Sequence, residues 1–272
     1  MVFMKTQSRM FGIVVLGALL ASALPACVNA VKGSGKIVSE DRNVGSFRQV
    51  ALSGNGELFI VQGQKEFVRV EADDNILPHL RTEVLDDTLK VGYGDKDGNI
   101  QVFSTTKNPK IYVGTKSLEG IAVSGSGQAT AGIVHAGKMQ IKVAGSGRVL
   151  LGQLKARSLT TDISGSGNVE IGGGAVVEQK VDVSGSGEYD SKNLESRAAR
   201  LKLSGSGHIA VWAIDKLDIS SSGSGTVQYY GRPQVAQQVS GSSSVQSLGA
   251  REVPSKPAEM PNEPPPIEAK NP

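Results

Sequence analysis

Residues 181–190 read VDVSGSGEYD, and the fold follows from how this stretch is built and how often it returns. Val181 and Val183 alternate with Asp182, the period-two pattern of a strand with one face buried and the other in water. Ser184-Gly185-Ser186-Gly187 follows, and alternation resumes through Glu188, Tyr189 and Asp190. Ser-Gly-Ser-Gly also begins at Ser124, Ser164 and Ser204, with Ala144-Gly145-Ser146-Gly147 in the remaining slot, so each step is 20 residues. Two steps of 18 residues lead on to Ser222 and Ser240, and a degenerate copy, Ser53-Gly54-Asn55-Gly56, stands far upstream. Apolar pairs flank the motif throughout: Ile141/Val143, Val181/Val183 and Leu201/Leu203 before it, Val149/Leu151, Val169/Ile171 and Ile209/Val211 after it.

A block of this length cannot bury its own apolar face, but it makes one coil of a stack. Coils paired strand on strand lie ~4.8 Å apart, so equivalent residues form columns. The expected fold is all-β, a parallel β-helix with coils of about twenty residues. Parallel crossovers favour the right-handed winding. Counting alternately from Val183 puts Gly185 and Gly187 inward and Ser184 and Ser186 outward. The motif then reads as a corner, with glycine where backbones crowd and serine hydroxyls serving free backbone groups. Gly165-Ser166-Gly167 runs on into a strand rather than a helix, so it is no dinucleotide fingerprint. Gly33-Ser34-Gly35-Lys36 lacks the spacing of a phosphate loop, and a period of twenty does not fit the nonapeptide calcium roll.

Composition agrees with a narrow interior. Aromatic residues are 4% of the chain and glycines number 34, so small and β-branched side chains must fill the core. Residues 1–30 read as a secretory signal: Lys5 and Arg9, then the apolar run FGIVVLGALLASAL over 11–24, too short for a membrane span. Two processing routes fit. Leu24-Pro25-Ala26-Cys27 resembles a lipobox whose cysteine is acylated, and the chain's single cysteine stands where that anchor needs it. Val28-Asn29-Ala30 would instead serve an ordinary signal peptidase. Either way the protein is expected to be exported, as an outer-membrane or periplasmic lipoprotein or a secreted surface protein. Its only membrane contact would be the lipid on Cys27. Without the leader, 27 basic side chains stand against 26 acidic ones, which gives no footprint for nucleic acid.

Residues 31–43 read as a linker and 44–120 as an irregular first half that opens the solenoid and covers its first edge. Asn75–Arg81 suits a short helical turn. Regular coils occupy 121–249. The tail, 250–272, holds seven of the chain's 11 prolines and reads as extended and solvated. The stretch FRQVALSGNGELFIVQGQKEFVRVEADDNILPHLRTEVLDDTLKV (47–91), followed by the serial Ser-Gly-Ser-Gly coils, resembles the bacterial auto-transporter adhesin head domains known as the GIN family. The resemblance runs from Val44 to Gly249. It implies a parallel β-helix on the cell envelope and brings no catalytic residues. No translocator barrel follows the head in this sequence, so self-export across an outer membrane is not expected.

The function expected is therefore non-catalytic: an adhesin-like module without cofactor or metal, binding a glycan or an envelope or host surface protein through its side wall. The rival is a polysaccharide lyase or hydrolase, for which Asp162 and Asp182, in one column on successive coils, are the candidate carboxylates. Lys142 and Lys202 continue that column, which reads more simply as a ladder of opposite charges. His79, His135 and His208 share no ligand spacing, and serine stripes lack the methyl groups of ice-binding walls. The candidate binding residues are Trp212 and Tyr230. Alternation puts Gly132, Gly152, Gly172, Lys192, Trp212 and Tyr230 in one outward column, with the two rings on adjacent coils. Exposed, they would stack on sugar rings; the reading favoured over this is a lid on the end of the solenoid.

Overall fold

The computed structural model describes residues 31–94 and 103–251. Cys27, the leader and all of the proline-rich tail beyond Arg251 lie outside the described residues. The strands Gln128–Gly145, Arg148–Gly165 and Glu188–Gly205 each run through almost a whole coil. Each pairs in parallel with its neighbours, so that Ile141, Thr161, Val181, Leu201 and Ile219 lie in one column. The chain is a parallel β-helix. Among the described residues the only helical turn is the 3-10 turn Leu77–His79, inside the segment expected to hold one.

Pairing between two full coils breaks twice, and the breaks are bends. It runs from Gln128↔Arg148 to Ala131↔Leu151, from Ile133↔Gln153 to Ala136↔Ala156, and from Lys138↔Ser158 to Gly145↔Gly165. Each coil thus has a first wall after the motif, a second wall, and a third wall leading into the next motif. Alternation decides which side chains enter. On the first wall Ala129, Val149, Val169, Tyr189, Ile209 and Val227 stack inward, and on the third Val123, Val143, Ile163, Val183 and Leu203 do so; all are buried. Small and β-branched chains dominate these columns, with Tyr189 the one ring among them.

The corner departs from simple alternation. Gly187 is buried as expected, but Gly185 is not inward: its φ is +114° and it remains partly exposed. A left-handed residue breaks the two-residue period, so the first glycine turns the chain and only the second faces the core. At Gly185 an added Cβ would lie 2.5 Å from the carbonyl oxygen of Gly165. At Gly187 it would lie 2.6 Å from Ile163 Cγ2. The corner amides bond from coil to coil, Ser186 N–H to Gly165 O at 2.8 Å and Glu188 N–H to Gly167 O at 2.9 Å.

The first half closes one end. Gln49–Gly54 lies directly under Gly120–Gly125, so Ser53-Gly54 stacks beneath Ser124-Gly125 across a gap of 71 residues in sequence. Antiparallel strands then finish the edges: Leu80–Leu85 on Thr88–Tyr93, and Ile37–Arg42 on Phe67–Asp73, which itself pairs with Lys110–Thr115. Residues 31–43 are therefore not a linker, because Val31–Lys32 and Ile37–Arg42 both pair as strands. The second wall begins one level higher, and Gln62 covers its first strand. The side-chain amide accepts from His135 N–H at 2.8 Å and donates to His135 O at 3.0 Å, as a neighbouring peptide unit would.

Asp73 fastens this end. Its carboxylate is fully buried and accepts from Thr106 Oγ1 at 2.6 Å, Thr106 N–H at 3.0 Å and Gly35 N–H at 2.8 Å. Those donors, the Thr106 hydroxyl first, hold the carboxyl below its usual range. Burial, and then the Asp73 charge, push the nearby Tyr93 phenol up to about 12.

Gly185→Ala is expected to cost about 2 kcal/mol or more, since alanine must take a left-handed φ and meet the carbonyl of the coil beneath. Ser186→Ala, on the exposed side of the same corner, should stay within about 0.5 kcal/mol. Equal denaturation midpoints for the two variants would show that the corner does not depend on glycine.

Candidate binding wall

The third wall presents its outward residues in two long columns. One runs Lys142, Asp162, Asp182, Lys202 and Ser220; the other runs Thr160, Lys180, Arg200, Asp218 and Ala236. Their direction is fixed by what lies between them: Val181, Leu201 and Ile219 are core residues, so each neighbour in sequence must face out. Lys202 Nζ approaches Asp182 at 3.3 Å. Asp218 is shared by Lys216 at 3.1 Å and Arg200 at 3.8 Å. Lys180 makes no ion pair among the described residues, so the wall carries cationic charge that its own carboxylates do not match.

A groove of about 550 Å³ lies over this wall, lined by Lys180, Asp182, Arg200, Lys202, Asp218 and Gln238. A second of about 360 Å³ continues it toward the bend, sharing Lys180, Arg200 and Asp218 and adding Glu178 and Lys216. Asp162 and Asp182 do lie in register, as the spacing predicts. However, the Asp182 carboxylate is engaged by Lys202, and Asp162 does not line either groove. The histidines are scattered. His79 packs on the Phe103 ring at 5.1 Å, His135 is held through its backbone by Gln62, and His208 stands on the first wall opposite Glu188. Among the described residues no cluster of metal-ligating side chains occurs.

Beneath the grooves lies a buried polar network that the sequence reading missed. Gln179 Nε2 donates to Ser196 Oγ at 2.8 Å, and Gln179 Oε1 accepts from Tyr189 OH at 3.0 Å and Ser191 Oγ at 3.1 Å. Ser196 Oγ in turn donates to Trp212 O at 2.6 Å. Gln179 is on the third wall, Tyr189 and Ser191 on the first, and Ser196 on the second. One amide therefore ties all three walls at the level of the grooves, and with its partners bonded it carries little desolvation cost. The signal was present in the column Met139, Leu159, Gln179, Ala199, Leu217, where a single polar residue takes an inward place.

Trp212 and Tyr230 are on adjacent coils and in register, as expected. Their column is otherwise displaced: Trp212 pairs opposite Glu195 rather than Lys192, because the pairing shifts between Ser191 and Glu195. The coil of 18 residues is two shorter than the one before it: three residues are taken out at this bend and one is returned at the next, between Ser196 and Ala198. Trp212 is only 9% exposed. The guanidinium of Arg251 lies 5.7 Å from the Trp212 ring and 5.2 Å from the Tyr230 ring, and it donates to Lys192 O and Asn193 Oδ1. The start of the C-terminal segment thus covers the pair.

Arg251→Ala should uncover the chain's only indole and shift its emission to the red. A stability loss of about 1 kcal/mol should accompany it, the scale of a cation–π contact. An unchanged spectrum would place the cover elsewhere.

Comparison with known proteins agrees with this architecture. No curated protein matches the chain. Among solved structures, a protein titled a putative adhesin from Bacteroides fragilis superposes with a TM-score of 0.72 at 22% identity, covering 80% of this chain and 100% of that one. One titled a putative lipid binding protein, from Parabacteroides distasonis, gives 0.67 at 25% identity, covering 80% and 99%. A further one, titled a putative adhesin from Parabacteroides merdae, gives 0.65 at 22%, again covering 80% and 99%. The family described as "Putative auto-transporter adhesin, head GIN domain" matches residues 46–233, which span the first half and the regular coils alike, and the chain belongs to that family.

Proposed function

We propose that the protein is a non-catalytic binding module of the cell envelope, and that its third wall grips an extended acidic glycan. The observation that carries this reading is the groove in which Lys180 and Arg200 stand on successive coils, with Lys202 beside Arg200 on the same coil and Asp182 and Asp218 to offset the three cations. Lys180 and Arg200 lie one coil apart, ~4.8 Å along the stack, with Lys202 alongside, so the three form a compact cationic patch for a polyanion laid over the groove. The family's description as an adhesin head, and solved relatives described as putative adhesins, support a binding role.

Binding of uronate-bearing or sulfated polysaccharides should exceed that of neutral ones and weaken with salt. The double change Lys180→Glu and Arg200→Glu should lower affinity at least about tenfold. Melting should hold, because these side chains are exposed. Preference for neutral glycans, or indifference to the double change, would remove the wall from consideration.

Residence at the envelope follows from the leader, and we infer that Cys27 carries the lipid that keeps the module there. Mass spectrometry of the mature N-terminus checks it: an acylated Cys27 is expected, and an unmodified chain starting at Val31 would make the protein soluble after export.

A further inference from the structure

The two ends of the solenoid are built differently. At the first end the outermost strands are antiparallel and charged: Leu80–Leu85 carries Arg81 and Glu83, and Ile37–Arg42 carries Glu40, Asp41 and Arg42. That is how sheets guard an open edge. The other end has no such guard among the described residues. Gln234–Gly241 pairs only with the 216–223 stretch, and Ser244–Ser247 only with 226–229. Every residue of Gln234–Gly241 is exposed. Val235 and Val239, which continue the columns of the buried Leu217 and Ser221, are 39% and 41% exposed. Residues 233–250 hold no charged side chain, whereas each earlier full strand of the third wall, from Lys138 on, carries at least one.

We propose that this edge docks a second copy of the chain, third wall against third wall, so that two solenoids join end to end. The composition of residues 250–272 does not favour the tail as that occupant, since seven prolines lack the N–H that a ladder needs. The last described residue, Arg251, is moreover held on the side wall at Lys192 and Asn193. A copy of the same edge fits on three counts. An uncharged strand meets no like-charge repulsion from itself. Gln234, Gln237 and Gln238 each both donate and accept, so they are self-complementary about a two-fold axis. Gln228 and Gln246 already form such an amide pair at 2.9 Å between the last two coils. The two-fold axis makes the new pairing antiparallel, as in strand addition to a free edge. Growth stops at two, because the first end of each copy is closed by its antiparallel cap. The joined third walls would then form one continuous surface of twice the length.

The experiment is sedimentation of the exported protein, tail included, over a range of concentrations, with amide exchange measured across 234–241. A dimer is expected, with protection of these amides rising as it forms. Gln237→Lys with Val239→Lys should give a monomer that melts where the wild type does when diluted until monomeric, because both side chains are exposed. A chain ending at Arg251 should still dimerise. A wild-type chain monomeric throughout, a dimer that survives both lysines, or a dimer lost with the tail would each overturn the proposal.

Discussion

One contact sets the period of the whole molecule: the first glycine of each corner lies against the carbonyl of its counterpart one coil below. Gly165 meets Gly145, Gly185 meets Gly165 and Gly205 meets Gly185, each with a φ near or above +100° and a carbonyl closer than any Cβ would allow. A turn of that kind must recur at the same level in every coil, or the strands on either side lose register. Once the corners align, the alternating side chains fall into columns without further instruction. The third wall therefore stays straight through the change from 20-residue to 18-residue coils, and the shortening is absorbed at the two bends that flank the short second wall of Trp212 and Ala213. The corner recurs at one level in every coil, whereas the bends are where coil length changes.

A solenoid has two ends and a long interior, and each poses a different problem. The interior is solved by small side chains, and by one polar exception: the Gln179 amide, which bonds to groups on the first and second walls. Apolar columns alone would let one wall slide against another, since their contacts have no direction. Hydrogen bonds from one amide to Tyr189, Ser191 and Ser196 fix the walls at a single level. The first end is solved by reversing strand direction and by side chains that imitate backbone, Gln62 for a missing strand and Asp73 for missing carbonyls.

What the sequence showed and what it hid follow from the same geometry. Column residues such as Ile163 and Val183 were legible because coils repeat, and every repeat is an independent reading of one environment. Asp162 and Asp182 were placed in register from spacing alone. Gly185 was misplaced because alternation counts residues, whereas a positive φ resets the count. The role of Ile37–Arg42 was illegible because antiparallel caps occur once and have no repeat to confirm them. The cover on Trp212 and Tyr230 was hidden for a related reason. It comes from Arg251, in a segment whose proline-rich composition speaks only of solvation, while its contact depends on one side chain reaching back to the level of Lys192.

The division between inward and outward positions also bears on how such a wall acquires a ligand. Inward residues and corner glycines carry the fold, and that fold is shared with a solved structure at 22% identity and a TM-score of 0.72. Outward residues on a straight wall contribute little to stability, because exposed pairs such as Lys202 and Asp182 are worth at most about 1 kcal/mol each. A change at Lys180 or Arg200 therefore alters the charge of the wall while leaving the stack beneath it untouched. Grooves on this wall are consequently the place where members of one fold can differ in ligand at little structural cost. For the acidic glycan proposed above, the few cations that stand over the groove therefore matter more than the fold that carries them.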